Sequence, residues 1–327
     1  MNNRWSMYDE LISGMPEDII VDECIHGTVW TWLSAGPYCG VALTVKLETM
    51  PRMSASSPVG RSLRSVAEGV RSWNFTEASA GMAAINAFYN TIENMKMLGA
   101  SGPGLDGRSE DITSADISAR KKKNPFDHQE ELSADAKVAV VGHFPHIEKK
   151  LEGKCKLSIL ERDPSKGDLP DSACEYILGE QDYAFITGMT FINKTLPRLL
   201  QLCGEKTRVS LVGPSTAMSP IVFKYGADEL SGFCVTDPEL AKRLIADGKR
   251  DIFESGIMAV SYTHLVPDFM IASLLSSAPT CIPPRFFISL HTGSRYSSSS
   301  SENFIGVPAR SSGEKVYVTS PIGFIQI

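Results

Sequence analysis

Gly142-His143-Phe144-Pro145-His146 sets an imidazole directly behind the apolar run Val138–Val141, and Glu161 closes a second apolar run 19 residues after Gly142. Imidazole titrates near neutrality and binds metals readily, so His143 is a candidate general base or metal ligand, with Glu161 as a candidate catalytic carboxylate. Asp168 and Asp171 stand three apart in Gly167-Asp168-Leu169-Pro170-Asp171. Beside His143 they form the one candidate metal set in the chain, with donors suited to a divalent or heavy-metal cation. Asp171 competes for a plainer role, capping a following helix.

The densest polar cluster is Thr187-Gly188-Met189-Thr190-Phe191-Ile192-Asn193-Lys194-Thr195. A glycine turn followed by hydroxyls, an amide and a lysine at a helix start suits a phosphate or carboxylate. Gly188, Thr190, Asn193 and Thr195 are therefore candidate ligand contacts, and Lys194 a candidate catalytic cation. Gly142 and the group Gly213-Pro214-Ser215-Thr216 repeat the theme of a strand-end glycine, the latter with hydroxyls behind it. Thr236-Asp237-Pro238-Glu239 reads as a helix cap with proline at the first helical position. Two familiar signatures are missing. Neither a Walker loop nor a Gly-x-Gly-x-x-Gly dinucleotide fingerprint is present, and Gly213-Pro214-Ser215 completes only half of a nucleophile elbow.

These groups need a scaffold that brings them together. Short apolar runs at Lys137–Val141, Lys156–Leu160, Tyr183–Thr187, Arg208–Val212 and Gly232–Val235 alternate with helical segments such as Leu196–Cys203 and Pro238–Ala246. That alternation predicts a parallel sheet with covering helices, whose ligand site lies at the carboxyl ends of the strands. Residues 1–99 predict a separate α+β unit. In it, runs 24–33 and 38–47 form a hairpin about Ser34-Ala35-Gly36-Pro37, followed by helices over Leu63–Val70 and Glu77–Tyr89. Ala80, Ala83, Ala84, Ala87 and Phe88 make a small-residue face suited to close packing. Residues 100–123, ending in Arg120-Lys121-Lys122-Lys123, read as a linker or insertion, and 124–258 as the α/β domain.

The 327 residues carry 43% hydrophobic and 21% charged side chains with a formal charge of −6, which describes a soluble globular chain with no basic face for nucleic acid. No apolar run is long enough for a membrane span, and the amino terminus lacks a signal-peptide core, so a cytoplasmic location is expected. Seven cysteines, at 24, 39, 155, 174, 203, 234 and 281, form no metal-type pair and read as reduced core residues. Residues 259–327 hold only seven charged residues and fourteen serines. The hexapeptide Val260-Ser261-Tyr262-Thr263-His264-Leu265 matches one reading frame of a transposase adapter end used in sequencing libraries. An irregular tail, chimeric or disordered, is expected from 259 onward, and His264, Cys281 and His291 are set aside as site residues.

Taken in order, Gly142-His143-Phe144-Pro145, Glu161-Arg162, Gly167 to Asp171, Thr187-Gly188 through Asn193-Lys194-Thr195, and Gly213-Pro214-Ser215 resemble the heavy-metal-chelation domain family of bacteria and archaea. Ser72-Trp73-Asn74-Phe75, Glu77-Ala78-Ser79 and Ala84-Ile85-Asn86-Ala87 resemble that family's amino-terminal partner, whose fold is similar to the enolase amino-terminal domain. The resemblance covers about residues 5–256. It implies a Rossmann-like α/β domain preceded by a small α+β domain, with a metal or a small anionic chelating molecule bound or processed in the cleft between them. It also adds Asn74, Glu77 and Asn86 as candidate ligand contacts, Asn86 with helix packing as its competing role. Alternatives from other classes are a nucleotide- or S-adenosylmethionine-dependent enzyme using Glu161 on a ribose, and a non-catalytic small-molecule sensor. No membrane or nucleic-acid partner is expected, and self-association is left open.

Overall fold

In this computed structural model, residues 3–100, 132–165, 167–250 and Ile252 are described, together with strand segments at 257–263, 290–292, 316–320 and 323–326. The expected linker at 100–123 lies outside them apart from Ala100, as does the serine run 297–301.

The amino-terminal layer opens with helix α1 (Ser6–Ser13) and an antiparallel sheet of β1 (Glu23–His26), β2 (Trp30–Ala35) and β3 (Tyr38–Leu43). The expected hairpin is there, but its first arm folds back on itself as β1 and β2 through a turn in which the Gly27 N–H donates to the Trp30 carbonyl at 2.9 Å. Helix α2 (Leu63–Ala67) is capped by Ser62, and α3 (Phe75–Tyr89) by Asn74, whose side chain accepts from the Glu77 N–H at 3.1 Å. A short α4 (Ile92–Met97) follows. Thirteen of the fifteen residues of α3 are buried. A helix that is small and apolar on every side belongs inside a molecule, not on its surface. Its tight fit is clearest at Gly40 of β3, where a Cβ would lie 2.1 Å from the Ala83 carbonyl and 2.3 Å from the Ala87 nitrogen.

The second layer is a seven-stranded sheet. In chain order its elements are β4 (Lys137–Val141), α5 (Ile147–Leu151), β5 (Lys156–Glu161), β6 (Leu169–Pro170), α6 (Cys174–Ile177), β7 (Tyr183–Thr187), α7 (Met189–Ile192), α8 (Leu196–Leu202), β8 (Arg208–Val212), β9 (Glu229–Val235), α9 (Pro238–Ala246) and β10 (Ile257–Thr263). The strands run β10-β9-β8-β7-β4-β5-β6 across the sheet, six parallel and β10 antiparallel to β9. The connection reverses direction between β4 and β7, so the order is that of the dinucleotide-binding sheets and the switch point lies at that pair. Five expected strands coincide with β4, β5, β7, β8 and β9, the last starting three residues earlier than anticipated. The two-residue β6 carries too little apolar pattern to be read from sequence.

One core joins both layers: Tyr8, Leu11, Ala83 and Ile85 belong to the same buried cluster as Ile186, Phe191 and Leu211. Residues 1–281 form a single compact unit. The expectation of an irregular segment from 259 meets a difference here, since β10 runs in register with β9 as far as Thr263, opposite Glu229. β9 would otherwise end the sheet, and an unpaired strand edge invites a partner. The second unit, 282–327, contains β11 (Leu290–Thr292), β12 (Val316–Ser320) and β13 (Gly323–Gln326) in one antiparallel sheet. No helix among the described residues is long and apolar enough to cross a membrane.

Candidate functional site

The carboxyl ends of β4 and β5 gather the histidine and its acids. Gly142 leaves β4 with φ +103°, a conformation that favours glycine, and a Cβ there would press on Thr187 of β7 at 2.9 Å. The chain is thereby turned so that His143 faces the loop after β5. His143 Nδ1 lies 2.9 Å from Asp168 Oδ2, and Nε2 lies 3.2 Å from Glu148 Oε1. The two carboxylates thus address opposite nitrogens of one ring. The backbone N–H of His143 donates to Glu161 Oε2 at 2.8 Å, while Glu161 Oε1 accepts from the Arg162 N–H at 2.6 Å. The side chain of Asp168 is almost covered, at 3% exposure, against 55% for Glu148.

Electrostatics follow from this packing. The hydrogen bond with Asp168, above all, lifts the His143 imidazole above its ordinary value, with the charges of Asp168, Glu148 and Glu161 adding to it against a partial desolvation. Desolvation works to raise the Asp168 carboxyl, but the hydrogen bonds from His143 and from the Ser165 N–H outweigh it and hold it below the usual carboxylate range. Asp171 does not join the group: its carboxylate accepts from Arg162 Nε at 3.1 Å. Of the expected metal set, His143 and Asp168 come together and Asp171 is paired elsewhere. Glu148, on the first turn of α5, was not foreseen, because an acid on a short exposed helix carries no distinguishing pattern. Among the described residues, no group of three or more His, Cys, Asp or Glu side chains is arranged to hold a metal ion.

The ends of β7 and β8 tell a different story. Ser215, 2% exposed, accepts from the Leu43 N–H of β3 at 2.9 Å, and Asn86 of α3 donates to the carbonyls of Val41 and Pro214 at 2.8 and 2.9 Å. Asn90 donates to the carbonyls of Thr216 and Phe233 and accepts from the Met218 N–H. Gly188 lies against the Thr216 backbone so closely that a Cβ would sit 2.6 Å from its nitrogen. Thr190 donates to the Thr187 carbonyl, and Asn193 accepts from the Thr195 N–H and hydroxyl. Gly213, φ +113°, turns the chain into this contact. Ser215, Thr216, Asn86 and Gly188 meet at the junction between the two layers, whereas Thr190, Asn193 and Thr195 bond within their own loop. Buried polar groups need partners. Ser215 and the side-chain amides of Asn86 and Asn90 find theirs across the junction, while Asn86 Oδ1 and Thr216 Oγ1 are buried without one among the described residues.

Lys194 also points across that junction. Its Nζ donates to the carbonyls of Ser72 and Ile192 and lies 4.5 Å from the centre of the Phe75 ring and 5.4 Å from that of Trp73. Burial pushes the ammonium down to about 8, with the Glu77 charge opposing. Glu77 accepts from the N–H groups of Met53 and Ser54, and Asn74 Nδ2 donates to the Met50 carbonyl. Asn74 and Glu77 thus fasten the 44–62 segment onto the start of α3.

A parallel sheet with this strand order and a histidine–carboxylate cluster at its carboxyl edge defines a Rossmann-like α/β protein. Residues 124–263 match the family described as "Putative heavy-metal chelation", and residues 8–89 match a second family of the same description. A protein of unknown function from the same family, from Desulfitobacterium hafniense, is 38% identical in its crystal structure, with a TM-score of 0.70 over 80% of this chain and 100% of that one. The chain belongs to this family. A second crystal structure, from Pyrococcus horikoshii, shares the fold at 20% identity, with a TM-score of 0.61 over 79% of this chain and 98% of that one. An uncharacterized protein of Methanocaldococcus jannaschii is 27% identical over 176 residues, which span 52% of this chain and 59% of that protein's length.

Proposed function

We propose that the protein binds a metal ion together with a small anionic chelating molecule at the β4–β5 edge. The amino-terminal layer is read as the enolase-like partner domain of the family. The observation that carries the proposal is the line Asp168–His143–Glu148. A carboxylate on Nδ1 fixes the tautomer and orientation of the ring and leaves Nε2 for a metal, with Glu148 beside it as a second donor. Glu161 holds the backbone of the same residue. Two protein donors leave most of a coordination sphere to be filled, which is the role of the chelator. The metal is cargo in this reading, and its proton competitor is the second N–H of His143.

Binding of Ni²⁺–nitrilotriacetate and of free nitrilotriacetate to the full chain, followed calorimetrically, tests this. The metal complex is expected to bind and the free chelator to bind more weakly. His143→Ala and Glu148→Ala should each weaken the complex at least about tenfold, and Asp168→Asn by about 10–100-fold. Equal binding by the parent and His143→Ala would overturn the proposal. A second reading, a nucleotide- or S-adenosylmethionine-dependent enzyme, is favoured by the strand order alone. Against it, both oxygens of Glu161 already accept loop N–H groups where a ribose would need them. A rise in Tm with an adenosine cofactor, abolished in Glu161→Gln, would support that reading.

A further inference from the structure

A depression of about 360 Å³ lies on the amino-terminal layer, lined by His26 at the end of β1, by Thr44, Lys46 and Glu48 after β3, and by Thr76 in the first turn of α3. None of these residues belongs to the sheet-edge cluster. The wall is built from buried hydroxyls. His26 Nδ1 lies 3.2 Å from Thr31 Oγ1, which lies 2.8 Å from Thr44 Oγ1, and Thr31 is fully buried. This chain fixes the ring of His26, and burial together with the Arg52 charge favours its neutral form.

Two lining groups have no partner among the described residues. The Lys46 ammonium makes no ion pair or hydrogen bond, and the hydroxyl of Thr76, a residue only 7% exposed, has neither donor nor acceptor. The Thr76 side chain lines the depression and leaves its hydroxyl free to bond a group that enters it. Thr76 also stands at the amino-terminal end of the fifteen-residue α3, where the helix dipole favours negative charge. Glu48 is the opposing charge, and it sits 3.6 Å from Arg52, which offsets it.

We infer that this depression is a second binding site, distinct from the sheet edge, for a small phosphate- or carboxylate-type anion held by Lys46 and Thr76 against the fixed ring of His26. The inference does not depend on the metal-chelate reading. Titration of the full chain with inorganic phosphate and, separately, with citrate, followed by the ring-proton NMR signals of His26, tests it. Saturable shifts of His26 are expected with at least one anion. Lys46→Met and Thr76→Val should each weaken that binding at least about tenfold, while His143→Ala should leave it unchanged. Lys46 is exposed and Thr76→Val preserves shape, so both variants retain the fold, which an unaltered amide spectrum would verify. An unresponsive His26, undiminished binding in both variants, or loss of binding in His143→Ala would overturn the inference.

Discussion

His143 and Asp168 hold each other's charge, and that makes the cluster pH-dependent in a defined direction. A histidine raised above its ordinary 6.5 contributes stability that is complete below that value and disappears as pH climbs through its folded pKa. A carboxyl held below its ordinary 3.8 contributes above that value and loses its effect as pH falls through its folded pKa. The pair therefore counts most between about pH 4 and 6.5. In the metal-free protein, NMR titration should place His143 above the ordinary histidine value. Asp168→Asn should bring it down, and the stability difference between parent and variant should shrink as pH rises past neutrality. At this scale the sequence was informative about identity and poor about partnership. His143, Glu161 and Asp168 do meet, because they follow consecutive strands of one sheet. Asp171 fails to join them because Arg162, nine residues back, reaches it first.

At the scale of elements, the decisive piece is α3. Its alanine-rich surface announced close packing, and Gly40 shows how close. Gly40→Ala forces a methyl into two backbone atoms that cannot yield, so a loss of about 3 kcal/mol is expected in denaturant unfolding, at the upper end for overpacking. Asn90→Ala removes three hydrogen bonds that join the carboxyl end of α3 to the loop after β8 and to strand β9. With buried groups left unpaired on the other side, it should also cost about 3 kcal/mol or more. The polar residues behind β7 and β8 looked like a ligand site because glycine and hydroxyls at a strand end serve a ligand and a neighbouring helix equally well. Only the tertiary structure brings α3 against that end, where Asn86 and Asn90 reach the backbone of Pro214 and Thr216.

At the scale of the whole molecule, the β4–β7 switch point and the edge strand β10 carry the consequences. Seven residues of β10 pair with β9 in unbroken register, and the family match also reaches residue 263. A chain ended after Thr263 should therefore keep the Tm of the full chain. One ended after residue 256 exposes the edge of β9 and should show a lower Tm with a greater tendency to associate, as seen by calorimetry and light scattering.

The alternation of apolar runs with helical segments determined the parallel sheet and five of its strands, since strand and helix periodicity are local properties. The spacing of strand-end residues likewise determined which side chains stand at the carboxyl edge. Strand order, the continuous core beneath α3, the sealing of the β7 and β8 ends, and the recruitment of Glu148 to His143 were decided only by the tertiary structure. The first three depend on contacts between residues far apart in the chain, and the last on how the loop after β4 folds back on itself, which no local pattern names.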